Sequence, residues 1–189
     1  MIETVSLFQD GTISPSFPYL FDSNTLISLK QSMHRLGCKR RHSGIHTDYD
    51  RIALGILNGK IPCVPMTLDT YVEFYVKTGY NPHKKRSQSS IFHQLVRSEY
   101  ARFVLLDIPK KHFRTEPYSL VEASREDISN TIAAACIRLN DGSTCRPICI
   151  VSNDRDIGYL KDWYRKNKFP EASRFHVMPT RTFVRELEL

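Results

Sequence analysis

Short apolar runs alternate with longer amphipathic stretches along this chain, and no other feature constrains its fold as tightly. The runs are Pro18-Tyr-Leu-Phe21, Ile61-Pro-Cys-Val64, Arg102 to Ile108, Ile148-Cys-Ile-Val151 and Arg174 to Met178. Each is too short for a helix and is rich in strand-forming residues. Between them, Asn24 to Leu36, Met66 to Lys77, Ser124 to Leu139 and Asp156 to Lys166 carry helical spacing, and the chain closes on a charged helical tail. In the Met66 to Lys77 stretch, Leu68, Val72, Tyr75 and Val76 fall on one side; in Ser124 to Leu139, Ile128, Ile132, Cys136 and Leu139 do. Apolar strands that recur between amphipathic helices bury both faces of a parallel sheet. The expectation is therefore an α/β fold, a single Rossmann-like three-layer domain with a central, mainly parallel sheet.

A chain of 189 residues supplies one such domain. Residues 1–17 precede the first strand and read as an N-terminal arm, leaving 18–189 as the domain. Residues 37–47 and 79–90 are basic and turn-rich, the composition of surface loops. The net charge of +7 attracts polyanions, so nucleic acid is the natural partner. No apolar stretch approaches the ~18 residues a membrane span requires. Glu3 and Asp10 stand where a signal peptide would carry bases, which points to the cytoplasm and to no membrane partner. The five cysteines are odd in number and scattered, as expected of reduced thiols. Cys145-x-x-x-Cys149 lacks the second ligand pair of a zinc site. His34, Cys38, His42 and His46 recur every four residues, but Gly37 and Ser43-Gly44 break any continuous helix through them.

Ligands of open parallel sheets bind beyond the carboxyl ends of the strands, so acids at those ends come first. Asp22 follows the first strand directly, and Asp154 follows Ile-Cys-Ile-Val-Ser-Asn with Asp156 two residues on. Asp127 lies in the first turn of a helix, and Glu73 lies midway along another. Clustered carboxylates repel one another unless a cation neutralises them. Magnesium suits such a site, because it keeps several waters and needs few carboxylates. Each acid also has a structural reading. Asp22 can cap the following helix, Ser124-x-x-Asp127 has the form of a capping box, and Asp154 with Asp156 can make a turn and a cap. Glu73 can pair with Lys77, and Asp69, one turn earlier, is its rival as a ligand. Tyr71, Tyr75 and Tyr80 can stack on bases, although packing is the default for aromatics at helical spacing.

Phe-Asp22-Ser-Asn24-Thr-Leu, Val64-Pro followed by Tyr-Val-Glu73, Ser-Arg-Glu-Asp127 leading into Ile132-Ala-Ala-Ala, and Ile150-Val-Ser-Asn153-Asp154-Arg-Asp156-Ile resemble the ordered acidic motifs of the PIN-domain family. The resemblance spans about residues 18–180. It implies a PIN-like fold and a Mg²⁺- or Mn²⁺-dependent endoribonuclease, an activity common among the toxins of bacterial and archaeal toxin–antitoxin pairs. On that basis Asp22, Glu73, Asp127 and Asp154 are the expected catalytic and metal-binding acids, with Asp156 auxiliary. Asn24, Ser152, Asn153, Lys84, Lys85 and Arg86 are the expected substrate contacts. RNA is the first-choice polymer, DNA the second, since the acids would serve either. An antitoxin protein and a second copy in a homodimer are the expected protein partners. The rival reading is a catalytically inactive PIN-like module that binds nucleic acid or protein.

Overall fold

The structure, a computed structural model, describes residues 2–6, 19–37, 45–80, 83, 93, 102–107, 124–136, 139–140, 145–146, 148–166 and 175–189. In chain order the described elements are β1 (Ile2–Ser6), β2 (Tyr19–Phe21), α1 (Ser23–Gly37), α2 (Asp48–Leu57), β3 (Cys63–Thr67), α3 (Leu68–Thr78), β4 (Arg102–Asp107), α4 (Arg125–Cys136), β5 (Leu139–Asn140), β6 (Cys145–Arg146), β7 (Ile148–Val151), α5 (Arg155–Lys166), β8 (Phe175–Met178) and α6 (Thr180–Glu186).

The apolar runs do become strands, with buried residues in β2, β3, β4 and β7 and a more exposed β8, and they pair in parallel. One sheet has the order β1-β4-β3 and another β2-β7-β8; β5 and β6 form a short antiparallel pair. Strand β2 lies beside β3, and the Tyr19 phenol donates to the Cys63 carbonyl at 3.2 Å. Burial, helped by nearby Cys63, raises the phenol well above its ordinary range. The chain is thus a mixed α/β protein of parallel sheets and helices.

Its core is aromatic where β2 meets α6. Tyr19, Phe21 and Phe183 meet edge to face, with ring centroids 5.0 to 5.5 Å apart. That geometry sets positive ring edges on negative faces and adds to simple area burial. Helix α1 packs on both α2 and α3. At the α1–α3 seam, the half-buried Lys30 lies 5.9 Å from the Phe74 ring and 6.0 Å from that of Tyr80, while donating to the Thr78 carbonyl at 3.2 Å. Burial lowers the Lys30 pKa, and the ring faces and carbonyl are what keep a cation tolerable there.

Several elements differ from the sequence expectation. Residues 2–6 of the N-terminal arm form β1, which extends the β4 edge, whereas 7–17 lie outside the described residues. Helix α2 follows the expected loop directly, and Thr47 starts it with a full capping box closed by Asp50. Strand β3 runs two residues later than Ile61, and α3 starts only at Leu68, because Thr67 caps it by accepting the Thr70 amide. Gly79 ends α3 with φ 61°, a conformation that suits glycine, and Tyr80 beyond it is buried rather than in a surface loop. Helix α4 stops at Cys136, and Leu139 belongs to β5. The largest difference is the face of α3. Thr70 and Phe74 are its buried residues, while Leu68, Val72, Tyr75 and Val76 face outward. Cys38, His42 and most of both basic loops lie outside the described residues; His34 ends up near the close of α1, and His46 donates its amide to Asp50. Among the described residues, no helix is long and apolar enough to cross a membrane.

Asp50 locks α1 to α2. Its carboxylate accepts from the Arg35 guanidinium at 2.8 Å and from the amides of His46 and Thr47 at 3.1 and 3.0 Å. Burial alone would raise the Asp50 pKa, but hydrogen bonds from Arg35, Ser32, Thr47 and His46 outweigh it and hold the group far below the usual carboxylate range. A depressed folded-state pKa stabilises the fold above the unfolded value of 3.8 and is lost as the pH falls further. Asp50→Asn should therefore lower stability by about 2 kcal/mol at neutral pH, Arg35 being half exposed and screened. Urea denaturation from neutral to strongly acidic pH should show the gap between wild type and variant closing below about pH 4.

Candidate functional site

Strands β2 and β7 are parallel, with Phe21 opposite Val151, so the residues that follow them, Asp22 and Ser152, emerge side by side. Thr25, in the first turn of α1, donates its hydroxyl to the Val151 carbonyl at 3.0 Å and ties the helix start to the β7 end. Its amide donates to Asp22 Oδ1 at 2.7 Å. Ser152 Oγ donates to Asp22 Oδ2 and accepts the Asp154 amide at 2.8 Å. Asn24 Nδ2 then donates to Asp154 Oδ2 at 2.7 Å, and Asp154 Oδ1 accepts the Asp156 amide at 2.9 Å. Two acids separated by more than a hundred residues of sequence are thus held by one chain of hydrogen bonds. Asp22 caps α1 and Asp154 caps α5, so the capping readings are true and do not remove either acid from the site.

Asp22 is 1 % exposed, and among the described residues no basic side chain pairs with it. Burial pushes its carboxyl up to about 6 from 3.8; Asp154 pushes in the same direction, and the bonds from Ser152 and Thr25 only partly oppose them.

A second polar cluster joins the end of β3 to α4. Asp69 Oδ1 accepts from Arg125 Nε at 2.8 Å, and Oδ2 accepts from the Ser129 hydroxyl. Asn130 Oδ1 lies 3.0 Å from Thr67 Oγ1 and 2.9 Å from Thr70 Oγ1, and those two hydroxyls lie 2.9 Å from each other. Two protons serve three close oxygen pairs, so the three groups share them. Helix α4 packs against β2, β3, β7 and α3, which puts this cluster on the helix that also covers the Asp22 strand.

The remaining expected residues fall elsewhere. Glu73 forms an ion pair with Lys77 on its own helix. Asp127 is 7 % exposed and accepts the Ser124 hydroxyl at 2.9 Å while its amide donates back to Ser124 Oγ at 3.1 Å, the cap of α4. Asp156 is exposed in the first turn of α5. Asn153 ties the β7–α5 turn to its surroundings, donating to Tyr49 Oη at 2.9 Å and Thr180 Oγ1 at 2.8 Å and accepting the Thr180 amide at 3.0 Å. Lys84, Lys85 and Arg86 lie outside the described residues. Among the described residues, no three His, Cys, Asp or Glu side chains form a common ligand group. The structure brings Asp22 and Asp154 together; it does not bring Glu73 or Asp127 into one group with them.

No family model, curated protein or solved structure matches the chain. Two carboxylates linked through Ser152, one buried and with no basic partner among the described residues, fit a hard divalent cation, since Mg²⁺ binds through one or two carboxylates and fills its remaining positions with water and phosphate. Sequence reasoning missed Thr25, Thr67, Thr70, Arg125, Ser129 and Asn130. A signal existed for two of them, Ser129 and Asn130: Ser129-Asn-Thr131 interrupts the apolar pattern of α4, and a polar triplet within a buried helix has to bond something.

The pH dependence of Asp22 runs opposite to that of Asp50. A raised folded-state pKa stabilises the fold below pH 4 and loses that contribution as the pH rises through about 6. Asp22→Asn keeps the shape and the acceptor for Thr25 but removes the buried charge. Thermal denaturation without divalent metal should find the variant more stable than wild type above pH 6, by about 1 to 3 kcal/mol, with the gain fading toward pH 4.

Proposed function

We propose that this chain is a PIN-like, metal-dependent endonuclease acting first on RNA, with Asp22 and Asp154 as its central acids. The observation that carries the reading is the buried Asp22 carboxyl, joined through Ser152 to the half-buried Asp154 beyond the ends of adjacent parallel strands. Strand order supports it. With β2 beside β3, the strands run β4-β3-β2-β7-β8 in space. Counted from β2, that is the 3-2-1-4-5 order of doubly wound folds, whose ligands bind where the winding reverses. The reversal falls between β2 and β7, the strands that Asp22 and Ser152 follow.

A divalent cation, when bound, supplies the Lewis acidity that activates water and balances charge developing on phosphate oxygens. The rest is the work of the chain. Asp22 and Asp154 would hold the cation; Ser152 fixes the orientation of Asp22, and Asn24 that of Asp154. Glu73 is paired with Lys77, and Asp69 with Arg125 and Ser129, so neither stands as a third acid beside Asp22 and Asp154. Asp127 serves as the cap of α4. The net charge of +7 favours a polyanionic substrate, and neither the charge nor the acids distinguishes RNA from DNA.

A second reading, a non-catalytic PIN-like binding module, draws on the engagement of Glu73 by Lys77 and of Asp127 by Ser124. Incubating the purified chain with total RNA, single-stranded DNA and duplex DNA separates the two. The nuclease should cut in Mg²⁺ or Mn²⁺ and stop in chelator. Asp22→Asn and Asp154→Asn should each lower the rate on the order of a hundredfold or more, while Glu73→Gln should change it little. Cleavage by Asp22→Asn at the wild-type rate would refute the site, and metal-independent binding without any cleavage would establish the second reading.

A further inference from the structure

The partners of Asn153 determine the role of the Tyr49 hydroxyl. Asn153 Oδ1 accepts the Thr180 amide at 3.0 Å, and a backbone amide can only donate, so that partner identifies the carbonyl end of the side chain. Nδ2 is then the NH₂ group, and its two hydrogens go to Thr180 Oγ1 at 2.8 Å and to Tyr49 Oη at 2.9 Å. A side-chain amide nitrogen donates and does not accept. The Tyr49 phenol is therefore the acceptor of this bond, and its own hydrogen is directed toward an acceptor other than Asn153.

The position of that phenol is fixed from both sides. Tyr49 lies in the first turn of α2, whose start is locked by the Thr47–Asp50 capping box and by Arg35 on Asp50. Asn153 lies between Ser152, which donates to Asp22, and Asp154, which caps α5. Helix α6 begins after Pro179 with no side-chain cap of its own, and Asn153 accepts the Thr180 amide in its place. One side chain thus joins the starts of α2 and α6 to the turn that carries the site. Tyr49 is half-exposed, and bond lengths alone keep its Oη within roughly 10 Å of the Asp154 Cα. The neighbouring acid, Asp48, is rotated about 100° round the helix from it.

We propose that Tyr49 is a substrate-binding residue whose phenol donates its hydrogen to a phosphodiester oxygen of the polynucleotide, at a phosphate beside the one cut. The inference rests on the nuclease reading, which supplies the polymer, and it adds a contact that the acids of the site cannot make. An ionised carboxylate only accepts hydrogen bonds and repels phosphate unless a cation stands between them, whereas a neutral phenol binds phosphate directly. Such contacts set the register of a nucleic acid and carry no sequence information, so Tyr49 should hold all sequences alike. Asn153 acts behind it, both of its amide hydrogens being used by Tyr49 and Thr180.

Tyr49→Phe removes one oxygen and keeps the ring. In chelator, where the chain should bind without cutting, the variant should hold a labelled single-stranded RNA of about ten nucleotides roughly tenfold more weakly by fluorescence anisotropy, the loss expected for a hydrogen bond to a charged group. In Mg²⁺ it should raise KM by a similar factor, with a smaller fall in kcat. Its Mn²⁺ affinity, measured by calorimetry without RNA, should equal that of wild type. RNAs carrying a single neutral methylphosphonate, walked along the chain, should reveal one position at which wild type loses affinity and Tyr49→Phe loses no more. Tyr159→Phe, on the exposed face of α5, should match wild type throughout. Wild-type affinity in Tyr49→Phe, when wild type itself binds and cuts, would overturn the contact and leave the nuclease reading standing. Weaker Mn²⁺ binding by Tyr49→Phe would overturn it in favour of a positioning role through Asn153, and a wild type that neither binds nor cuts would overturn both readings.

Discussion

A buried carboxylate with no basic partner among the described residues is the constraint around which one end of this molecule is arranged. Asp22 has left water at the end of β2, and desolvation is the largest influence on its ionisation. A charge in that position is tolerated only where hydrogen-bond donors converge on it. Thr25 and Ser152 are those donors, and each is itself held from a second direction: Thr25 by the Val151 carbonyl, Ser152 by the Asp154 amide. The start of α1, the end of β7 and the turn into α5 are thereby fixed relative to one carboxyl group. The same convergence that makes Asp22 tolerable sets Asp154 beside it and Asn24 against Asp154.

The polar interior continues into α4. Ser129, Asn130 and Thr131 are buried on a helix that packs against several strands, a position where apolar residues are the rule. They are accommodated because β3 ends in Thr67 and the first turn of α3 carries Thr70: both meet the Asn130 carbonyl oxygen, and Ser129 meets Asp69. A satisfied buried network of this kind specifies the mutual position of its elements more sharply than apolar contact does, since a shift of one element strands several groups at once. Helix α3 is held over the sheet by this network together with Phe74, and with Lys30 at its far end.

What was legible in the sequence is what depends on near neighbours in the chain. Strands β2 and β7, helix α1 and the positions of Asp22 and Asp154 all follow from short runs whose ends are marked locally. Helix α2 was legible too, since Thr47-x-x-Asp50 has the form of a capping box, but its closeness to a basic loop concealed it. The different partners of Asp69 and Glu73 were not. The two acids lie one turn apart on the same helix, and the groups that engage Asp69, Arg125 and Ser129, come from a distant part of the chain. No property of residues 66 to 77 taken alone announces that contact. Nor could the strand order be read, because pairing of β1 with β4 and of β2 with β7 joins segments far apart in sequence.

The face of α3 is the instructive failure. Apolar periodicity locates the buried side of a helix when burial of that stripe is what holds the helix in place. Here α3 is held instead by Thr67 and Thr70 on Asn130, by Asp69 on Ser129 and by Phe74 against Lys30 and Tyr80. The stripe is left outside, where in an isolated chain it contributes little to stability and raises the risk of association. Natural sequences follow their local rules closely and depart from them mainly where something other than stability of the lone chain is being served. A helix that buries the Thr70 hydroxyl while exposing Leu68, Val72 and Val76 is such a departure. The polar contacts, not burial of the stripe, are what fix the orientation of α3.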